Sequence, residues 1–292
     1  MSADYGRHAD DDLIKMAFKQ ITYFAVCLLM LAVILAVEQY TDFDVLIEDC
    51  LYDFDKREWA VTPALHEVLS PFFYEGAKRL VACIGTICVF YMAISVRKKA
   101  WRKNFAAVCM VLLSTMIVPL SVSKLKDVTN VYCPNQLEIY DGQYPYVRIT
   151  EDYPAGFKAE HRGRCFPGGH VTGAFSLLSL YLVFNGRKKK IAVLAGILVF
   201  GGITGGYQML RGEHFLSHNL FSLFLAAIII PLINMLVIKA VSACNKLFCF
   251  HAGRNKEQVS GFFNKKTAGW RFLCLLRRDL PSLPFSFLRL SS

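Results

Sequence analysis

Histidine, lysine and arginine fall in three short clusters whose chemistry suits a phosphate. The first is Lys126-Asp-Val-Thr-Asn-Val-Tyr-Cys133-Pro134 and the second Arg164-Cys165-Phe166-Pro167-Gly168-Gly169-His170. The third is Gln208-Met-Leu-Arg211-Gly212-Glu213-His214-Phe-Leu-Ser-His218. Imidazole acts as nucleophile and as general acid or base near neutral pH. Lysine and arginine supply positive potential, and a glycine pair ahead of a helix start offers backbone N–H groups to an anion. His214 and His218 are four residues apart, so they share one helix face. An HxxxH pair can hold zinc, but the glutamate that usually follows its first histidine is missing here, so no metal or other cofactor is assigned. Singly, each cluster has a blander explanation, such as Lys126 snorkelling to a membrane surface. Together they make one site: His170, His214 and His218 as reactive groups, with Lys126, Arg211 and the glycine turn holding the anion.

The elements that must position these groups are membrane helices. Of 292 residues, 54% are hydrophobic and 19% charged, and the mean hydropathy is +0.37. That excludes a disordered chain and argues against an ordinary soluble domain. A span needs about 20 mostly apolar residues, and six candidates follow: 16–37, 80–96, 105–122, 170–184, 191–210 and 215–237. The fourth is short, so its start must lie at the membrane surface or dip into it. The first is not a cleavable signal, because its apolar run is long and EQYTDFD follows instead of a small-x-small site. Residues 191–240 cannot be one straight helix, which would be roughly 75 Å long against a core of about 30 Å. A turn is expected at Gly212, with Arg211 ending one span and His214 opening the next.

Charge sets the orientation. Arg97, Lys98, Lys99, Arg102 and Lys103 separate spans two and three, and Arg187 to Lys190 separate spans four and five. Both groups should be cytoplasmic. Both termini then lie inside, and the loops 38–75 and 123–169, with all three clusters, face out. The net charge of +10 reflects these groups and a basic tail; no basic groove on soluble surface points to nucleic acid. The segment VTPALHEVLSPFFYEGAKRL suits either a short interfacial helix or an ordinary ordered loop. Residues 1–245 are expected to form the membrane domain and 246–292 a basic cytoplasmic tail lying on the membrane surface.

The three clusters resemble the type 2 phosphatidic acid phosphatase superfamily. Its pattern is Lys-x6-Arg-Pro, then Pro-Ser-Gly-His, then Ser-Arg-x5-His-x3-Asp. Lys126-x6-Cys133-Pro134 fits the first with Cys for Arg, and Pro167-Gly168-Gly169-His170 the second with Gly for Ser. Tyr207-Gln208-x5-His214-x3-His218 fits the third with Tyr for Ser, Gln for Arg and His for Asp. Spacing is kept throughout residues 126–218. The resemblance implies an all-α bundle and a metal-free phosphatase. His214 attacks phosphorus, His170 serves as acid and then base, and His218 orients His214. Lys126, Arg211, Gly168, Gly169, Gln208 and Arg164 are placed around the phosphate, with Arg211 and either Arg164 or Arg162 standing in for the two absent arginines. The implied substrate is a lipid phosphate or pyrophosphate on the outer face of a bacterial inner membrane. Phosphotransfer to a second lipid and a weakened, lipid-binding or partner-binding relative are the alternatives. Cys133 and Cys165 each stand beside a motif on the outer side, and a disulfide between them is expected; oligomeric state is not legible.

Overall fold

The computed structural model describes residues 2–97 and 104–259. The basic residues 98–103 and most of the expected tail, 260–292, lie outside the described residues. Nine α-helices and one two-stranded hairpin are described: α1 Ser2–Tyr40, α2 Phe43–Asp49, β1 Tyr52–Asp53, β2 Glu58–Trp59, α3 Pro63–Phe73, α4 Glu75–Arg97, α5 Phe105–Thr129, α6 Thr172–Ser176, α7 Ser179–Val183, α8 Arg187–Met209 and α9 Leu216–Val259. The chain divides into a larger compact unit, Ile21–Ile233, and a smaller one drawn from the chain ends outside those bounds. All three clusters lie in the larger unit.

Five stretches are long and apolar enough to cross a membrane: Lys15–Tyr40, Pro63–Ile94, Phe105–Gln136, Arg187–Met209 and Leu216–Ala243. Large apolar side chains such as Leu28, Leu29, Ile87, Phe90, Leu198 and Val199 stand exposed along them, as lipid-facing residues do. The chain is an all-α polytopic membrane protein.

The expected fourth span is different. Residues 170–184 form two short helices, α6 and α7, and Thr172–Val183 is only about 18 Å long, less than the hydrocarbon core. Hydroxyls tighten its turns: Thr172 Oγ1 donates to the Gly169 carbonyl at 2.6 Å, Ser176 Oγ to Gly173 at 2.6 Å and Ser179 Oγ to Ser176 at 2.9 Å. Val171, Ala174, Phe175, Ser176 and Ser179 are buried. Broken helix of this kind is tolerated at membrane depth only where protein encloses it, and α4, α5 and α8 pack against it. At the other end, α9 continues to Val259, so residues 246–259, the first part of the expected tail, are helical.

Two helix faces aim the site residues. On α5 the buried positions Met110, Ser114, Val118 and Val122 recur every four residues, and Lys126 is the next on that stripe. On α8 the buried positions Ile197, Gly201, Thr204, Gly205 and Gln208 follow the same rule. Within the segment 61–80, Pro63–Phe73 forms α3 and residues 75–80 open α4; the first turn of α3 is capped by Thr62 Oγ1 accepting from the Leu65 N–H at 3.4 Å. The loop 41–62 then holds the α8–α9 turn. The Val61 N–H donates to the Leu210 carbonyl at 2.9 Å, and Asp44 Oδ1 accepts from the Ser217 N–H at 3.0 Å, at the start of α9. Gly212 carries φ +66° with the Trp59 ring so close that a Cβ would lie 2.3 Å from it; only glycine fits that turn.

Candidate active site

The long loop 130–171 brings the second cluster over the end of α5. The Cys165 N–H donates to the Val131 carbonyl at 2.8 Å, and Thr129 Oγ1 donates to the Phe166 carbonyl at 2.6 Å. The Gly163 N–H donates to Asn130 Oδ1 at 2.9 Å. The third cluster is tied to the first by the Asn135 N–H, which donates to the Gly212 carbonyl at 2.8 Å. The second cluster is tied to the third through Gly168, whose N–H donates to the His218 carbonyl at 2.9 Å. Ser222 Oγ donates to both Gly168 and His218 carbonyls, at 2.7 and 3.1 Å. The Gly168 amide, expected to face an anion, is therefore engaged within the protein. A Cβ at that position would lie 2.7 Å from Asn219 Oδ1 and 3.0 Å from the His218 carbonyl oxygen, which explains glycine where the superfamily pattern has serine.

His170 and His214 meet directly: Nδ1 of the first lies 3.3 Å from Nε2 of the second. His214 is buried, and its other nitrogen, Nδ1, lies 3.3 Å from Cys165 Sγ. That thiol donates its own proton to the Glu213 carbonyl at 3.0 Å, so the sulfur is left to accept from His214 Nδ1–H. The pairing leaves the Nε2 lone pair toward His170. His218, expected to orient His214, has its ring centroid 5.9 Å from that of His214. It packs against Phe166 and Phe215, and its Nδ1 is buried without a hydrogen-bond partner among the described residues. The residue bonded to His214 Nδ1 is thus Cys165.

Lys126 reaches the glycine turn, since a Cβ at Gly169 would sit 3.0 Å from its Nζ. Among the described residues no carboxylate pairs with it. Gln208 is fully buried, and neither side-chain polar atom has a hydrogen-bond partner among the described residues. Arg211 pairs with Glu213 at 3.2 Å and lies 5.8 Å from the Tyr74 ring centroid and 5.9 Å from that of Tyr207. Arg164 sits at the margin, 54% exposed and 2.6 Å from Asp127, and Arg162 donates to the Val128 carbonyl at 3.1 Å. Cys133 and Cys165 stand as free thiols next to each other, not as the expected disulfide.

Burial, then the charges of Lys126, Lys78 and Arg211, pushes His170 down to about 4. Burial, then Lys126, His218 and His170, drives His214 well below the ordinary imidazole range. Both are neutral at physiological pH. Burial raises the Cys165 thiol well above its usual value, so it too is neutral.

Two contributors were not legible as site residues. Tyr74 places its ring centroid 4.9 Å from that of His170, and Lys78 Nζ sits 3.6 Å over the Tyr74 ring. Their spacing of four residues, at the start of a span, is the signal that could have found them. Tyr207, in the superfamily's serine slot, is bonded to His66 at 2.6 Å instead.

Residues 104–241 match the family model described as the PAP2 superfamily. The matched stretch, just under half of the chain, contains all three clusters and is similar to the PAP2 superfamily. Members of that superfamily are phosphatases acting on phosphoesters, and the match supports the same class here. No curated protein and no solved structure matches the chain significantly.

Proposed function

We propose that the protein is an integral membrane phosphatase that hydrolyses a lipid-linked phosphate or pyrophosphate through a phosphohistidine on His214, at the periplasmic face. The observation that carries this reading is the contact of His170 with His214 Nε2 beside Lys126, a cation without a carboxylate partner among the described residues. A phosphoryl group reaches Nε2 by displacing His170 from its resting contact. The Nε2 lone pair then forms the P–N bond, and the ester P–O bond breaks with its electrons on the leaving oxygen. His170 delivers a proton to that oxygen. Water attacks phosphorus, His170 takes its proton, and the P–N electrons return to Nε2. Lys126 and the Gly169 and His170 amides, which have no partner among the described residues, face the charge on the phosphoryl oxygens. Arg211 joins them if Glu213 releases it.

The lipid reading rests on the bundle: the reactive histidines lie at helix ends, His170 just ahead of α6 and His214 just ahead of α9, where a headgroup meets the membrane surface. The periplasmic side is supported by the basic residues 187–190, which favour a cytoplasmic position for the opposite loops. The test is phosphate release from a panel of phosphatidic acid, phosphatidylglycerol phosphate, isoprenyl phosphate and pyrophosphate, and phosphorylated lipid A, with the lipid products weighed by mass. Release that is lost in His214→Ala, with acid-labile phosphate trapped on the wild-type imidazole, is expected. Equal rates in His214→Ala would sink the mechanism. Reporter fusions that put residue 214 in the cytosol would sink the orientation.

A further inference from the structure

The superfamily's arginine slot holds Cys133, and Cys165 takes the Nδ1 side of His214. These departures converge on one point. One ligand atom from each of Cys133, Cys165 and His214 lies within 4.8 Å of the others. Cys165 and His214 are buried and Cys133 is half-buried. Tetrahedral zinc, with bonds of about 2.3 Å to sulfur and 2.0 Å to nitrogen, sets neighbouring ligand atoms roughly 3.5–3.8 Å apart. The 3.3 Å from Cys165 Sγ to His214 Nδ1 is close to that edge. Cys133 and Cys165 come from opposite ends of the loop 130–171 and His214 from the α8–α9 turn, and no carboxylate is among them, which selects a soft ion over magnesium or calcium.

We propose that Cys133, Cys165 and His214 bind a thiophilic divalent cation, zinc above all, and that loading this site silences the phosphatase. On binding, each thiol releases a proton and joins the ion through Sγ as a thiolate. His214 gives the Nδ1 lone pair as neutral imidazole. The two thiolate charges cancel the charge of the ion, so neighbouring Lys126 faces no added net charge. A neutral imidazole bound through Nδ1 must carry its proton on Nε2, so the lone pair that attacks phosphorus is gone. Cation binding stands on the triad alone; the silencing also rests on His214 being the nucleophile.

The experiment titrates the full-length, detergent-purified and chelator-stripped protein with Cd2+, whose thiolate complexes absorb in the ultraviolet, followed by competition with Zn2+. The expected result is a band that saturates at one ion per chain and is displaced by zinc. Cys133→Ser should weaken Cd2+ binding at least about 10-fold, the lower end of what losing even an outer-shell partner costs. Cys50→Ser, which removes an exposed thiol elsewhere, should leave the band unchanged. A wild type without a saturable thiolate band overturns the site whatever the variants do, and so does a band that survives in both Cys133→Ser and Cys165→Ser. Phosphate release is then measured against free Zn2+. It should fall over the range that fills the band and return with EDTA. Undiminished release from fully loaded protein overturns the silencing. A chain that shows the band but releases no phosphate when metal-free overturns the phosphatase reading, and the silencing with it, while the cation site stands.

Discussion

Glu48 gives a stability prediction whose size follows from its surroundings. The residue is fully buried on α2, and neither carboxyl oxygen has a hydrogen-bond partner among the described residues. Burial first, then the charges of Asp44 and Asp49, lifts its pKa from 4.5 to about 9. Between those values the unfolded chain has lost a proton that the folded chain keeps. The folded state binds more protons, so stability falls as pH rises through that window. At pH 7 the cost is about 2.5 pH units at 1.36 kcal/mol each, or about 3 kcal/mol. Glu48→Gln keeps the shape and removes the titration. The variant should match wild type near pH 4.5, then gain under about 1 kcal/mol near pH 5 and about 3 kcal/mol near pH 7. Denaturant unfolding in detergent across that range reads the gap directly. Parallel pH dependences in the two proteins would refute the reasoning. The stake is functional, because Asp44 on the same helix bonds the start of α9 and so fixes where His214 and His218 stand.

Two further substitutions probe the turns that hold the site. Gly168→Ser restores the superfamily's residue yet should cost about 1–3 kcal/mol, because the new Cβ meets Asn219 and the His218 carbonyl at 2.7 and 3.0 Å. Thermal melting and phosphate release should both drop, and an unchanged melting temperature counts against the packing described. Gly212→Ala must hold a left-handed φ of +66° at about 1–2 kcal/mol and push Trp59 aside. A shift in tryptophan emission should accompany the lost stability, and its absence would mean that the turn accommodates a side chain.

Much of this arrangement is readable from residue order. The helical spans, the turn at Gly212 and the convergence of the clusters follow from hydropathy and from the fixed rise of a helix. Lys126 points inward because it continues a buried four-residue stripe, but α5 is apolar nearly all round, so that stripe is visible only in the fold. The broken fourth segment was signalled only by its shortness, since serine and threonine hydroxyls bonding back to carbonyls leave no mark in hydropathy. What stayed hidden depends on tertiary contacts. His218 aligns with the superfamily's acid, but the chain turns Cys165 onto His214 Nδ1 instead. Gly168 looks like an anion donor until the His218 carbonyl is seen to occupy its N–H. Tyr74 and Lys78 come from another span altogether; their spacing of four pairs them with each other, but only the fold brings that pair to His170.

The neutrality of the two histidines has a kinetic consequence under the proposed mechanism. With His170 held near 4 by burial and three neighbouring cations, the free enzyme at pH 7 has no proton there to give to a leaving oxygen. The proton must arrive with the substrate. A phosphate monoester has a second pKa of about 6, so its monoanion carries the proton that His170 needs. Once bound, the phosphate's negative charge offsets Lys126, Lys78 and Arg211 and makes protonated His170 accessible. The productive complex therefore forms from neutral enzyme and substrate monoanion, and kcat/KM should fall above about pH 6 as that monoanion is lost. The falling limb belongs to the substrate. Replacing the headgroup with one of higher phosphate pKa should carry the limb upward by the same amount, with the enzyme unchanged. A limb that stays fixed across substrates of different acidity would assign the proton to a protein group and overturn this account of His170.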